Sequence, residues 1–364
     1  MTNRISKLQD WMKKEQIQMA FLTSTENIFY LSNFYSDPHE RLLGIAVFQE
    51  EEPFIICPAM EMEEAKNAGW TSEIIGYSDI EDPFELLFQS AGKRVKKFEK
   101  IAVEKEHLNV SRFETLIKHF PEAAFVSAEE KLRELRMIKN EKELALIRKA
   151  CSLADYGVKA GVAAIKEGKT ELEIVAEIEY ELKKKGVSQM SFSTMVLAGK
   201  NGASPHGVPG QTKINKGDFV LFDLGVVVEG YCSDITRTVA FGDIDEKQKE
   251  IYDTVLKAQT AAIEKAKQGM PCSEVDLAAR TIIQQSGYGK YFPHRLGHGL
   301  GISVHEFPSI TETNNLSLTK GMVFTIEPGI YVPGIAGVRI EDDVAVLDEG
   351  VEVLTKYPKE LQVI

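Results

Sequence analysis

The chain has 364 residues, 43% hydrophobic and 27% charged, an ordinary composition for a globular protein of about two domains. Its net charge of −12 and pI near 5.3 argue against a nucleic-acid or anionic-membrane partner. Four scattered cysteines with no CxxC, an opening MTNRISKLQDWMKKEQIQ without the apolar core of a signal peptide, and no run of membrane-spanning length lead to the expectation of a cytoplasmic protein.

Residues 1–126 read as a mixed α/β unit with its own core. Ile5, Leu8, Trp11 and Met12 have helical spacing, and Met19–Leu22 is a short apolar strand. Leu43–Phe48 and Pro53–Cys57 read as a hairpin; Ile74-Ile75 and Ile101–Val103 are further strands, with helices over Phe84–Ser90 and Ser111–His119. The basic stretch Lys93–Lys100 is short and reads as a solvated helix end or loop. Residues 127–139 form a charge-rich linker, and residues 140–364 a second domain.

That second domain opens with two capping boxes. Asn140 with Glu143 starts a helix ending near Gly168, and Thr170 with Glu173 starts one ending at Gly186. A strand-rich segment, Ser191–Phe241, follows. The plan then repeats: a helix from Asp245 to about Gly269, a helix capped by Ser273 and ending at Gly287, and a last strand-rich segment. Ala163-Ala164-Ile165 recurs as Ala261-Ala262-Ile263, a thin identity that still suggests a pseudo-twofold.

The segment Lys216–Phe241, KGDFVLFDLGVVVEGYCSDITRTVAF, reads as two strands joined by a turn at Glu229-Gly230. With a two-residue turn, Val228 pairs with Tyr231 and Gly225 with Asp234, so Asp223 and Asp234 become diagonal neighbours on one face. Carboxylates held that close are either solvated or in need of a cation. A pseudo-twofold sets this hairpin against Gly321–Leu347, where Glu327 ends one apolar strand and Glu341 lies within another, with Arg339 two residues before it. Four inward carboxylates demand a counter-charge, and a pair of divalent ions supplies it. HRLGHGLGISVHEFP adds His298 as a candidate ligand and His294 and His305 nearby; His206 sits in SPHGVPG. His294 and His298 are not the HExxH pair, because Arg295 stands where the glutamate belongs.

In order and spacing, Asp223, Asp234, His298, Glu327 and Glu341 resemble the five metal ligands of the pita-bread metallopeptidases. HRLGHGLGISVHEFP, TIEPGIY and GVRIEDDV resemble the prolidase and Xaa-Pro aminopeptidase branch. The resemblance implies an α/β (α+β) protein: a C-terminal pita-bread fold with pseudo-twofold symmetry behind a smaller N-terminal domain of creatinase type. It implies two divalent ions, manganese first and cobalt or zinc as alternatives. Asp223 would chelate one ion, His298 and Glu327 the other, and Asp234 and Glu341 would bridge them. His206 and His305 would contact substrate, Glu327 would shuttle a proton, and Arg339 would orient a bridging carboxylate. The implied reaction is hydrolysis of Xaa-Pro bonds by a metal-bridging hydroxide, in a homodimer. A dipeptidase is expected, with Arg295, or Arg41 of a partner's loop, reading the substrate's free carboxylate. Alternatives are an Xaa-Pro aminopeptidase, a methionine aminopeptidase, creatinase, or an inactive binding protein of the same fold. The intact ligand set speaks against the last two.

Overall fold

The structure, a computed structural model, describes residues 2–364 and divides after Arg136 into two compact units. In the first, one six-stranded sheet runs in the spatial order Glu73–Tyr77, Phe54–Pro58, Gly44–Phe48, Met19–Leu22, Lys100–Val103 and Ala124–Ser127. The two pairings made by Gly44–Phe48 are antiparallel and the others parallel. Phe21, Phe48, Phe54, Ile56, Ile101 and Leu116 form its core. The helix Thr25–Ser32 precedes the loop that carries Arg41. It is only eight residues long, and its start is set by Ser24, whose hydroxyl accepts from the Asn27 N–H, while its end is set by Asn33 at φ 60°. Arg41 is matched by Asp79 at 2.9 Å and Glu40 at 3.3 Å. The segment expected as a linker contains a helix, Glu129–Met137.

The second unit is built from two helix pairs, Glu141–Ala164 with Glu171–Lys184 and Glu246–Lys265 with Cys272–Gln285. Three of the four helices start with full capping boxes, at Asn140/Glu143, Thr170/Glu173 and Asp245/Gln248. Ser273 is not the cap of the fourth. Pro271 occupies that position, and the first helical N–H groups, of Cys272 and Ser273, donate instead to the Leu316 and Asn314 carbonyls. The backbone of a neighbouring loop has taken over the work of a capping side chain.

Each helix pair backs an antiparallel sheet. The first has three strands, in the order Ile235–Phe241, Asp218–Leu224, Met195–Ala198. The second has five, in the order Glu306–Ile310, Gly297–Gly299, Val323–Ile326, Asp342–Val346, Val351–Val353. Each half has its own apolar core, around Val220, Phe222 and Ile178 in one and Phe324, Val344 and Val255 in the other. The hairpin forms in the expected register: Val228 faces Tyr231, and Leu224 faces Ile235. Glu229 and Gly230 have φ 49° and 84°, the left-handed pair of a type I′ turn. A Cβ at Gly225 would fall 1.9 Å from the Ser233 carbonyl oxygen, so the strands close up there only around glycine. All four cysteines are free and buried.

Arg237, 1% exposed, ties the halves of this unit together. Its guanidinium bonds Asp342 at 2.6 Å and the carbonyls of Thr236, Glu341, Tyr357 and Pro358. Removing Arg237 takes a donor from four backbone carbonyls and one of two cations from buried Asp342, which keeps Lys359. Arg237→Ala should lower the unfolding free energy by about 3–5 kcal/mol in urea titrations, whereas breaking an exposed pair such as Lys320–Asp348 should change it little.

Candidate metal centre

Four carboxylates and one imidazole reach the same cavity from different elements. Asp223 lies on the strand Asp218–Leu224, opposite Thr236. Asp234 precedes Ile235–Phe241, and its backbone N–H donates to Asp343 Oδ2 at 2.8 Å. Glu327 follows Val323–Ile326. Glu341 is not inside a strand as expected. It falls with Ile340 in the break between Ala336–Arg339 and Asp342–Val346, where its N–H donates to the Thr236 carbonyl at 3.1 Å. His298 sits where the register shifts against Glu306–Ile310, a local irregularity that re-aims a side chain. The cavity has a volume of about 440 Å³, and His206, His294, Arg295, His305 and Arg339 also line it. All ten of these residues, each named from the sequence, meet there.

The geometry suits a cation. His298 Nε2 lies 3.3 Å from Glu327 Oε1 and 3.8 Å from Asp234 Oδ2. Donor atoms of Asp234, His298 and Glu341 all lie within 4.8 Å of one another. His298 Nδ1 is 3.1 Å from the Gly299 carbonyl, an acceptor only, so Nδ1 carries the proton and Nε2 keeps its lone pair. Asp223 Oδ1, Asp234 Oδ1 and Glu341 Oε1 are buried with no hydrogen-bond partner among the described residues. Unpartnered buried carboxylate oxygens beside a neutral imidazole fit a divalent transition metal.

Around them runs a second layer of contacts. Thr236 donates to Glu341 Oε2 at 2.6 Å and accepts from Arg339 Nε at 3.0 Å. Arg339 also pairs closely with Asp223 and donates to the Tyr331 hydroxyl at 2.8 Å. The arginine therefore holds Asp223 directly and reaches Glu341 through a threonine. Thr325 donates to Glu327 Oε1 and accepts from the His298 N–H, both at 3.2 Å. His294, given no role from sequence, accepts at Nε2 from the Tyr331 hydroxyl at 3.0 Å. Thr236, Thr325 and Tyr331 were missed. Thr325 and Tyr331 both stood within the quoted TIEPGIY, but a threonine in an apolar strand carries no sequence signal of its own.

Electrostatics carry the same message. Burial, then the charges of Glu341 and Asp223, pushes the Asp234 carboxyl well up; burial, then Glu327 and Asp223, does so for Glu341. Burial raises Glu327 to about 7, with Arg339 pulling the other way. Burial, then His305, lowers His298 to about 3, keeping it neutral. Burial, then Arg295, also lowers His305.

Two helix-backed antiparallel halves converging on acidic residues and a histidine define a pita-bread metallopeptidase. Residues 145–348 match the model of metallopeptidase family M24 and residues 4–138 that of the creatinase/prolidase N-terminal domain, and the chain belongs to that family. It is 56% identical over 99% of both chains to a Bacillus subtilis (strain 168) protein named "Putative dipeptidase YkvY". Among solved structures, a prolidase from Thermococcus sibiricus is 38% identical with a TM-score of 0.95, covering 100% of this chain and 99% of its own. An Xaa-Pro dipeptidase from Bacillus anthracis is 33% identical with a TM-score of 0.93, at the same coverages. The protein is a metallopeptidase, and the family implies a divalent metal.

Carboxyls raised above their unfolded values favour folding at low pH, and that contribution is lost as pH rises through the folded value. For Glu327 the window runs from the ordinary carboxyl range to about 7. His294, His298 and His305, whose values burial lowers, act in the opposite sense below the ordinary histidine range, so chelator-treated protein should lose melting temperature between about pH 6.5 and pH 8, and added divalent ion should restore it. A melting temperature that rises over that window in chelator would contradict the site. Asp234→Ala and Glu341→Ala should each lose metal by elemental analysis.

Proposed function

We propose that the protein is an Xaa-Pro dipeptidase that uses two divalent ions, manganese first and cobalt or zinc as alternatives. Asp223, Asp234, His298, Glu327 and Glu341 would hold the ions, with Asp234 and Glu341 shared between them. Charge supports a pair: four carboxylates against Arg339 leave more negative charge than one divalent ion offsets.

The observation that carries the dipeptide preference is Arg295. Among the described residues its guanidinium has one hydrogen-bond partner, Ser309 Oγ at 3.3 Å, and no carboxylate partner. Arg339, the other arginine of the cavity, is fully engaged. Arg295 is thus free to meet the carboxylate that directly follows proline in a dipeptide. Arg41, the other candidate, is already paired with Asp79. The prolidase and Xaa-Pro dipeptidase names of the solved relatives support the same reading.

Bound ions would supply Lewis-acid activation of water and of the scissile carbonyl. Glu327 takes the proton from the attacking water and hands it to the leaving nitrogen. His206 and His305 offer N–H groups to the carbonyl oxygen as negative charge develops on it. The nitrogen of an Xaa-Pro bond has no N–H to grip, so recognition falls to shape. Phe192, Met195 and Val304 supply an apolar wall to the cavity.

A homodimer is part of this proposal, with the exposed loop of Asp37, His39 and Glu40 reaching a partner's cavity. Solution scattering that gives a monomer at working concentration would remove it.

The deciding comparison is kcat/KM for an Xaa-Pro dipeptide, its carboxyl amide and an Xaa-Pro-Yaa tripeptide. The free acid should lead the amide by on the order of a hundredfold, and Arg295→Ala should collapse that ratio while leaving metal content intact. His298→Ala should lose metal and activity together, whereas His305→Ala should keep metal and lose turnover. Equal or faster cleavage of the tripeptide would make the protein an Xaa-Pro aminopeptidase.

A further inference from the structure

His206 comes to the cavity on the segment Gly199–Gly210, which has little to hold it in place. The segment is rich in glycine, Val208 is 79% exposed, and the His206 side chain makes no hydrogen bond or ion pair among the described residues. With no side-chain bond to fix it among the described residues, that imidazole follows the backbone that carries it.

The backbone is held by a carboxylate outside the cavity. Glu171, at the first turn of Glu171–Lys184, is 0% exposed and has no cationic partner among the described residues. Its Oε1 accepts from the Ala198 N–H at 2.7 Å and Asn201 Nδ2 at 3.0 Å. Its Oε2 accepts from Asn201 Nδ2 at 3.0 Å and the Gly210 N–H at 2.8 Å. Ala198 ends the strand leading into the segment, and Gly210 closes it. One buried anion therefore clasps both feet of the loop and, through Asn201, its first turn. The clasp is anchored in turn, because the Thr170/Glu173 capping box fixes the start of the helix that bears it. The loop also presses on the strand of Arg339: a Cβ at Gly337 would fall 1.6 Å from the Gly202 carbonyl oxygen.

The geometry points to Glu171 as the positioning residue for His206, setting its reach into the cavity without touching substrate. This rests on the role given above to His206. Glu171→Gln keeps the shape but turns one acceptor into a donor facing an N–H it cannot accept from.

The test is a double-mutant cycle on the metal-loaded enzyme with an Xaa-Pro dipeptide. Glu171→Gln should keep wild-type metal content and lose between about tenfold and a hundredfold in kcat. Amide exchange at Ala198 and Gly210 should speed up. In a His206→Ala background the same substitution should change kcat less than about twofold, because the side chain it positions is gone. Equal losses in both backgrounds would overturn the inference, since a general loss of integrity does not depend on His206. A normal Glu171→Gln enzyme beside an impaired His206→Ala enzyme would also overturn it, leaving the functional reading intact. Full activity of His206→Ala would overturn the role of His206 and this inference with it. If Glu171→Gln does not fold, Asn201→Ala replaces it in the same cycle, with the same criteria applied to a smaller loss.

Discussion

Like charge in a dry place is the constraint from which the rest of the second unit follows. Asp223, Asp234, Glu327 and Glu341 sit close together around one cavity, and the charges of Asp223 and Glu327 add to burial in raising the cost of ionising Asp234 and Glu341. A chain that puts them there needs a cation and a scaffold stiff enough to keep repelling groups from splaying apart. The pseudo-twofold arrangement answers the second need. Each carboxylate comes from a strand or strand end backed by a helix pair, so spreading the cluster would mean separating two packed sheets.

The scaffold's fine control is made of small polar groups. Thr236 bonds Glu341 and Arg339, Thr325 bonds Glu327 and His298, and Arg339 spreads one charge over Asp223, Tyr331 and Thr236. Asp343 accepts from the Asp234 N–H and from the Cys151 thiol, joining the helix Glu141–Ala164 to the acidic strand end. These are second-layer contacts of the kind that set ligand orientation in metal sites.

Much of this was legible beforehand because its signals are local. Two capping boxes, Asn140/Glu143 and Thr170/Glu173, state where helices begin, and Glu229-Gly230 fixes the register that makes Asp223 and Asp234 neighbours. Apolar strands interrupted by acids flagged the candidate site, because such acids are costly unless used. Other features were not legible because they are tertiary. The true start of Cys272–Gln285 depends on carbonyls from residues 314 and 316, and Glu341 falls between strands rather than within one. Thr236 and Thr325 look like ordinary strand formers until the sheets meet. The route by which Arg339 reaches Glu341 needed the hydroxyl between them to be seen.

The four buried cysteines have a consequence of a different kind. Burial suppresses thiolate formation, raising Cys57 to about 12, Cys272 to about 11 and Cys151 well above its ordinary value. An alkylating reagent added to the native protein meets no ready nucleophile at these three positions. Modification has to wait for each thiol to be exposed by local or global opening, so its rate times that opening rather than the intrinsic reactivity of the sulfur. The residues are also well separated in the chain: Cys57 in the N-terminal sheet, Cys151 in the helix joined to the acidic cluster, and Cys272 at the start of a helix in the other half. Mass-resolved labelling would therefore act as a set of internal clocks, one for each region, without any mutation of the protein.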